Sequence, residues 1–368
     1  MNDIPFQALP IATIDCHAHL NSHDGIEALL QVSRQAGIGR INIVCIPGSP
    51  ERSLNATACA LLAKARHPHT VSVFGGLLYN IDGPPAPGDL RRQAELLQAA
   101  GCDGVKMLEG KPSTRKRVPF RLDDPLYDDY YAFMASSGMP ILAHVADPDA
   151  FWDPARVSPQ ARQQGWDYTD GTYPPRESLY AEVDRVLERF PGLRVILAHF
   201  YFVSADMARA ERMLTRWPNV SFDITPGAEM YRNFSDDPEA WHGFFTRHQD
   251  RIIFGTDNFT PREPWPAAGD GMVDKVRMIR QFLETTGRFE GFGTATRKHV
   301  MGIQLDRPAL EKIYHRNFEA FVGATPRPLN RDAALQHIDR VLAYARRAPG
   351  QEPLQQELVE IAACIQAS

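Results

Sequence analysis

The chain lacks the cysteine pattern that staples small extracellular folds. Its five cysteines (Cys16, Cys45, Cys59, Cys102 and Cys364) are odd in number and scattered through 368 residues. They read as reduced core thiols, which argues for a cytoplasmic protein and against a disulfide scaffold. Long hydrophobic runs are missing as well, and none approaches the ~20 residues needed to cross a bilayer. Residues 1–10 carry neither a basic nor an apolar leader segment, so no export signal is expected. Nor is there a strong excess of one charge. A net charge of −5 gives no pull toward nucleic acid or an anionic membrane surface. Internal repeats and low-complexity tracts are absent too. These absences leave a globular protein whose expected partner is a small-molecule substrate.

What is present is a large apolar fraction in a regular order. Hydrophobic residues make up 43% of the chain, enough for a sizeable core at this length. Eight short apolar runs have the pattern of buried strands: 11–17, 40–46, 71–77, 104–107, 140–144, 193–199, 220–223 and 251–257. Helical patterns stand among them at 25–35, 53–66, 89–99, 125–136, 177–189, 205–216 and 238–247. This alternation predicts an α/β fold, a parallel (β/α)8 TIM barrel. Asp24, Ser204 and Asp237 stand near helix starts, where a side-chain oxygen can cap free N–H groups. Two stretches interrupt the beat. Residues 145–176 hold Trp152, Trp166, Tyr168 and Tyr173 on the side where long loops form lids or substrate walls, or pack against the barrel. Residues 258–306 contain a predicted helix at 273–285. A helix at 308–321 should complete the barrel, which spans 1–323. Beyond a Pro-rich break at 325–328, residues 331–347 and 354–365 read as two further helices. This extension, 324–368, is expected to pack on the barrel or to form a subunit contact in a homo-oligomer.

Four histidines and an aspartate end these apolar runs. His17 and His19 lie in Ile14-Asp15-Cys16-His17-Ala18-His19; His144 ends Leu142-Ala143-His144; His199 ends Leu197-Ala198-His199; Asp257 ends Phe254-Gly255-Thr256-Asp257. Alternation puts His17 and His19 on one strand face and turns Cys16 away from them. Catalytic groups of such barrels come from that strand end. Imidazole nitrogen and carboxylate oxygen suit Zn²⁺ first, with Mn²⁺ and Fe²⁺ as alternatives. A site of His17, His19, a third histidine and Asp257 would leave room for a water made more acidic by the cation. Asp257 is the candidate proton carrier, and His199 would bind a second ion or act as acid–base beside a single one. In Gly104-Val105-Lys106-Met107, alternation points Lys106 inward. A lysine there needs a partner or a modification. It could bridge two cations as a carbamate or, unmodified, hold a substrate carboxylate. Arg117, Tyr201, Arg232 and Asn258 follow strands four, six, seven and eight as candidate substrate contacts. Glu109, Arg115, Lys116, Asp223, Glu229 and Arg262 form a second tier, and a cation among all these would suit a carboxylate.

The ordered motifs resemble the amidohydrolase superfamily, specifically its amidohydrolase-2 branch. That branch includes aminocarboxymuconate-semialdehyde decarboxylase and related aromatic-acid decarboxylases alongside hydrolases. Leu310-Glu311-Lys312-Ile313-Tyr314-His315-Arg316-Asn317 is similar to the family's closing helix. The resemblance implies a metal-dependent enzyme with one or two divalent ions. His17 and His19 match its first-strand metal pair, His144 its strand-five ligand, and Asp257 its strand-eight ligand and proton carrier. His199 matches a histidine that is a ligand in two-metal members and catalytic in one-metal members, and Lys106 falls at the position of the carboxylated lysine. Asp15 stands where some decarboxylases carry Glu, a departure that slightly disfavours a resorcylate-type decarboxylase. The leading expectation is a hydrolase attacking an amide, ester or lactone carbonyl of a small carboxylate-bearing substrate. The alternatives are a non-oxidative decarboxylase or hydratase of an aromatic or dienoic acid, and a non-catalytic ligand-binding barrel.

Overall fold

The computed structural model describes residues 6–227, 229–260, 267–291 and 299–368. Helices cover the outer face of the sheet, so its strands are buried on both sides and read as near-continuous apolar runs. They are β1 (Ile14–His19), β2 (Arg40–Val44), β3 (Val71–Gly76), β4 (Gly104–Gly110), β5 (Ile141–Val145), β6 (Val195–Leu197), β7 (Val220–Asp223) and β8 (Ile252–Ile253). Each pairs in parallel with its neighbour in sequence, and a short β9 (Asn258–Phe259) pairs in parallel with β1. β8 and β9 are two ends of one segment. Between them, Cys16 N donates to Phe254 O (3.1 Å) and Asp257 N donates to His17 O (2.7 Å). The segment thus joins β7 to β1, and the sheet closes into the predicted TIM barrel.

Ile14, Cys16, Val44, Phe74, Leu142, Ile196 and Ile253 form one buried cluster with Phe318 of the closing helix. Gly104 makes room for Phe74, because a Cβ there would lie 2.6 Å from the ring. The position of His17 departs from simple alternation along β1. β1 pairs Asp15 with Ile41 but Ala18 with Ile43, so one extra residue is inserted in β1. Such a bulge re-aims side chains. Cys16 joins Ile14 in this cluster, and His17 and His19 still reach the mouth.

Other boundaries shift for local reasons. β6 stops at Leu197, because His199, Phe200, Tyr201 and Phe202 all have left-handed backbone with φ between 52° and 56°. The eighth run breaks into β8 and β9 around Asp257, whose φ is 54°. An antiparallel hairpin, β10 (Thr286–Phe289) with β11 (Val300–Ile303), lies inside the long eighth insertion and was not foreseen. Asp237 caps helix Pro238–Arg247 through Ala240 N, as predicted. Helix Met207–Arg216 is capped by Asp206 in place of Ser204, and Asp24 sits inside a short 3-10 turn.

The two C-terminal helices, Arg331–Arg347 and Glu352–Ala367, pack on helices Ala56–Arg66 and Asp89–Ala99. Leu358, Ile361 and Ile365 are buried there, and Glu357 accepts from Asn55 Nδ2 at 2.8 Å. All five cysteines are unpaired, four of them buried. Among the described residues no helix is long and apolar enough to cross a membrane.

Candidate metal centre

The strand ends converge on a cavity of about 380 Å³ at the C-terminal mouth of the barrel. His17, His19, Lys106, His144, His199 and Asp257 all line it. His17, His19 and Asp257 supply donor atoms that lie within 4.8 Å of one another. His19 Nε2 is 3.1 Å from Asp257 Oδ1, and His17 Nε2 is 3.7 Å from the same oxygen. His199 and His144 stand beside this trio: the His199 ring centroid is 5.5 Å from that of His17 and 4.9 Å from that of His144. Lys106 shares the inward face with Leu142 and Ile196 across the sheet, and its Nζ is 3.2 Å from His17 Nε2.

Groups outside this ring fix its orientation. Asp223, at the end of β7, is fully buried and places Oδ2 2.8 Å from His17 Nδ1. Its Oδ1 accepts from His199 N (2.7 Å) and Thr225 N (3.1 Å). One carboxylate therefore holds His17 with its proton on Nδ1 and anchors the left-handed turn that carries His199. The lone pair of His17 Nε2 is left toward the cavity, the usual arrangement behind a metal-binding imidazole. His199 Nδ1 lies 3.3 Å from Thr225 O, and His144 Nε2 lies 3.1 Å from Asp147 Oδ1. Asp147 also accepts from Lys111 Nζ (2.6 and 2.8 Å) and from Tyr168 Oη (2.6 Å). On β1, Asp15 accepts from Thr256 N (3.0 Å) and Thr256 Oγ1 (2.5 Å), which fixes the segment just before Asp257.

Burial sets the protonation states. It pushes the His144 imidazole down to about 4, aided by the Lys111 ammonium, and the His199 imidazole down to about 3, aided by His144. Burial and the Lys106 ammonium also hold His17 well below its ordinary value, and burial lowers His19. All four are neutral near pH 7, the form that binds cations. Burial opposes ionisation of Asp257, but the hydrogen bond from His19 outweighs it and holds the carboxyl well below the usual carboxylate range. Lys106 is lowered to about 8 by burial, partly offset by Asp223 and Asp257.

The proposed substrate contacts separate into two groups. Lys106 and Arg117 line the cavity; Tyr201, Arg232 and Asn258 do not. A continuing strand would have aimed residues 199 and 201 the same way. The left-handed turn instead sends His199 and Phe202 to the cavity and packs Tyr201 against Tyr180 and Phe222. Arg232 is exposed on helix Met230–Asp236. Asn258 is buried, with Nδ2 3.5 Å from Met272 O. In the second tier, Glu109 is buried with Tyr79 Oη donating to it at 2.6 Å, and Arg115 pairs with Glu182. Lys116 stacks over Tyr173, Glu229 is half-buried, and Arg262 lies outside the described residues. Of the loop aromatics, Trp166 lines the cavity, whereas Trp152 and Tyr173 pack on a small core of Phe151, Val157, Ala161 and Tyr168. Sequence reasoning missed Asp147, Lys111 and Phe259, whose ring stacks on His19 at 4.3 Å. The usable signal for Asp147 was its spacing, three residues after His144.

Fold and site together define a class: a (β/α)8 barrel with clustered histidine and aspartate donors at its C-terminal mouth. The chain belongs to the amidohydrolase family Amidohydro_2, whose model matches residues 14–324. Members of this family are enzymes and are generally metal-dependent. The chain is similar in structure to an uncharacterized TIM-barrel protein from Bordetella bronchiseptica, at 15% identity and TM-score 0.53, covering 85% of this chain and 99% of that one. It is also similar to a 2,6-dihydroxybenzoate decarboxylase complexed with 2,6-dihydroxybenzoate, at 13% identity and TM-score 0.50, covering 85% and 99%. The apo IDCase of Metarhizium anisopliae compares at 14% identity and TM-score 0.50, covering 85% and 97%. At these identities the likeness concerns the fold. No curated protein matches the sequence.

Proposed function

We propose that the protein is a metal-dependent hydrolase of a small carboxylate-bearing amide, ester or lactone. The observation that carries this reading is the trio of buried His17 and His19 with half-buried Asp257, whose donor atoms lie close enough together to share one cation. Their chemistry fits a divalent ion, Zn²⁺ first and Mn²⁺ or Fe²⁺ next. Such an ion supplies Lewis acidity toward a carbonyl and acidifies water. The chain's own residues do the rest. Asp257 is anionic and reaches the cavity with 27% of its side chain exposed, so it accepts the proton of an attacking water and returns it to the leaving group. His199, neutral and directed by Thr225 O, serves as a second ligand or as the electrophilic partner of the substrate. Arg117, which enters no ion pair among the described residues, meets a substrate carboxylate at the rim. The unpaired cysteines accord with a cytoplasmic setting.

A second reading has its own observation. Phe151, Trp166, Phe202 and Phe259 line the cavity, a wall suited to the flat ring of a substrate for decarboxylation or hydration. Metal content per chain, measured on protein purified without chelators, is the first test. One or two equivalents support the enzyme reading, and absence of metal after reconstitution with Zn²⁺ or Mn²⁺ removes it. Two equivalents favour Lys106 as a carbamate bridge, for which a lysine titrating near 8 supplies the needed neutral amine; one leaves it to the substrate. On an acid, lactone and amide panel, CO₂ release without net addition of water would select the second reading over hydrolysis.

A further inference from the structure

Asp257 occupies a backbone conformation that has to be held. Its φ of 54° is left-handed, a conformation that residues with a Cβ disfavour. Three hydrogen bonds fix the amide side of this turn: Thr256 N to Asp15 Oδ1, Asp257 N to His17 O, and Asn258 N to Thr256 Oγ1 (3.1 Å). The carbonyl side has a different partner. Lys275 Nζ, reaching from helix Ala267–Glu284, donates to Asp257 O at 3.0 Å. This is its single hydrogen bond among the described residues. Lys275 is not among the residues that line the cavity.

We propose that Lys275 is a positioning residue, clamping the main-chain carbonyl of Asp257 so that its carboxylate stays aimed at His17 and His19. The assignment rests on the metal-centre reading only for its consequence, since the clamp itself is a contact within the chain. Two roles for Lys275 make opposite predictions. A lysine acting only as a nearby positive charge repels a divalent ion, so neutralising it would tighten metal binding. A lysine holding the turn pre-organises a ligand, so removing it loosens metal binding, as loss of outer-shell partners does by roughly 10–100-fold.

The experiment compares Lys275→Met, Lys275→Gln and Lys275→Arg with the unsubstituted chain. Zn²⁺ affinity is measured by competition with a chromophoric chelator, and amide exchange at Thr256 and Asp257 is followed in metal-free protein. The expected result is at least about tenfold weaker Zn²⁺ binding and at least about tenfold faster exchange for Met. Gln should lie between, and Arg should stay within about threefold of the unsubstituted chain because it keeps a cationic donor. Should Met fail to fold, Gln against Arg carries the same comparison. Unchanged or tighter Zn²⁺ binding with unchanged exchange in the neutral variants overturns the proposal. Failure of the unsubstituted chain to bind metal overturns the metal-centre reading instead, and exchange in the metal-free variants still decides the clamp.

Discussion

Asp223 carries more of the site than any residue the motifs single out. It does not line the cavity at the barrel mouth, yet its two oxygens set the tautomer of His17 and tie the backbone of His199 to β7. A charged acceptor gives each of these bonds more strength than a neutral one would. Asp223→Asn keeps the shape but places an amide N–H against either His17 Nδ1–H or the His199 N–H. We predict a roughly 10–100-fold loss of Zn²⁺ affinity with far-UV circular dichroism unchanged. Chelator competition at neutral pH checks it, and affinity within threefold of the parent would remove the orienting role. Such a residue was visible in the sequence only as an acid after the seventh strand. Its partners lie 206 and 24 residues away along the chain, and no local pattern records them.

At the scale of elements, the strands were legible because two-sided burial writes itself as short apolar runs, and ligands at their ends followed from alternation. The places where alternation failed are those where the backbone leaves the strand. The bulge in β1 lets His17 reach the mouth although Ile14 and Cys16, one strand face by alternation, already point to the interior cluster, and the turn after β6 sends Tyr201 outward. Neither has a usable propensity signal: His, though enriched at left-handed φ, still adopts it uncommonly, and Phe and Tyr rarely do. The turn is stabilised from outside, with Phe200 packed among Phe222, Phe234, Trp241, Phe244 and Phe245. Gly255 tests how closely β8 must approach β1. A Cβ there would stand 2.5 Å from Thr225 Oγ1, 3.0 Å from Cys16 Sγ and 3.2 Å from His17 Cβ. Gly255→Ala should therefore cost about 1–3 kcal/mol in urea unfolding and weaken metal binding together. Lost stability with intact Zn²⁺ affinity would mean that the strands part without moving His17.

Across the whole molecule, neutral buried histidines link stability to pH. His144, His199 and His337 are held by burial at about 4, 3 and 4, against ~6.5 in an unfolded chain. Between these values the unfolded chain binds protons that the folded chain refuses. Stability is therefore full above about pH 6.5 and falls as the solution is acidified toward 4, by about 1.4 kcal/mol per pH unit for each such group. Asp147 acts in the same direction at lower pH. Burial opposes its ionisation, but Lys111 and His144 hold it below the carboxylate range, so its contribution is lost only in stronger acid. His337 separates the general effect from the metal centre. It sits on helix Arg331–Arg347, and its buried Nε2 has no hydrogen-bond partner among the described residues. His337→Gln should flatten the slope of unfolding free energy between pH 4.5 and 6 by about 1.4 kcal/mol per unit, whatever it does to the absolute value. Urea titrations of the metal-free protein across that range measure the slope directly. An unchanged slope would mean that His337 takes up its proton in the folded state, and that the C-terminal helices open to water well before the barrel does.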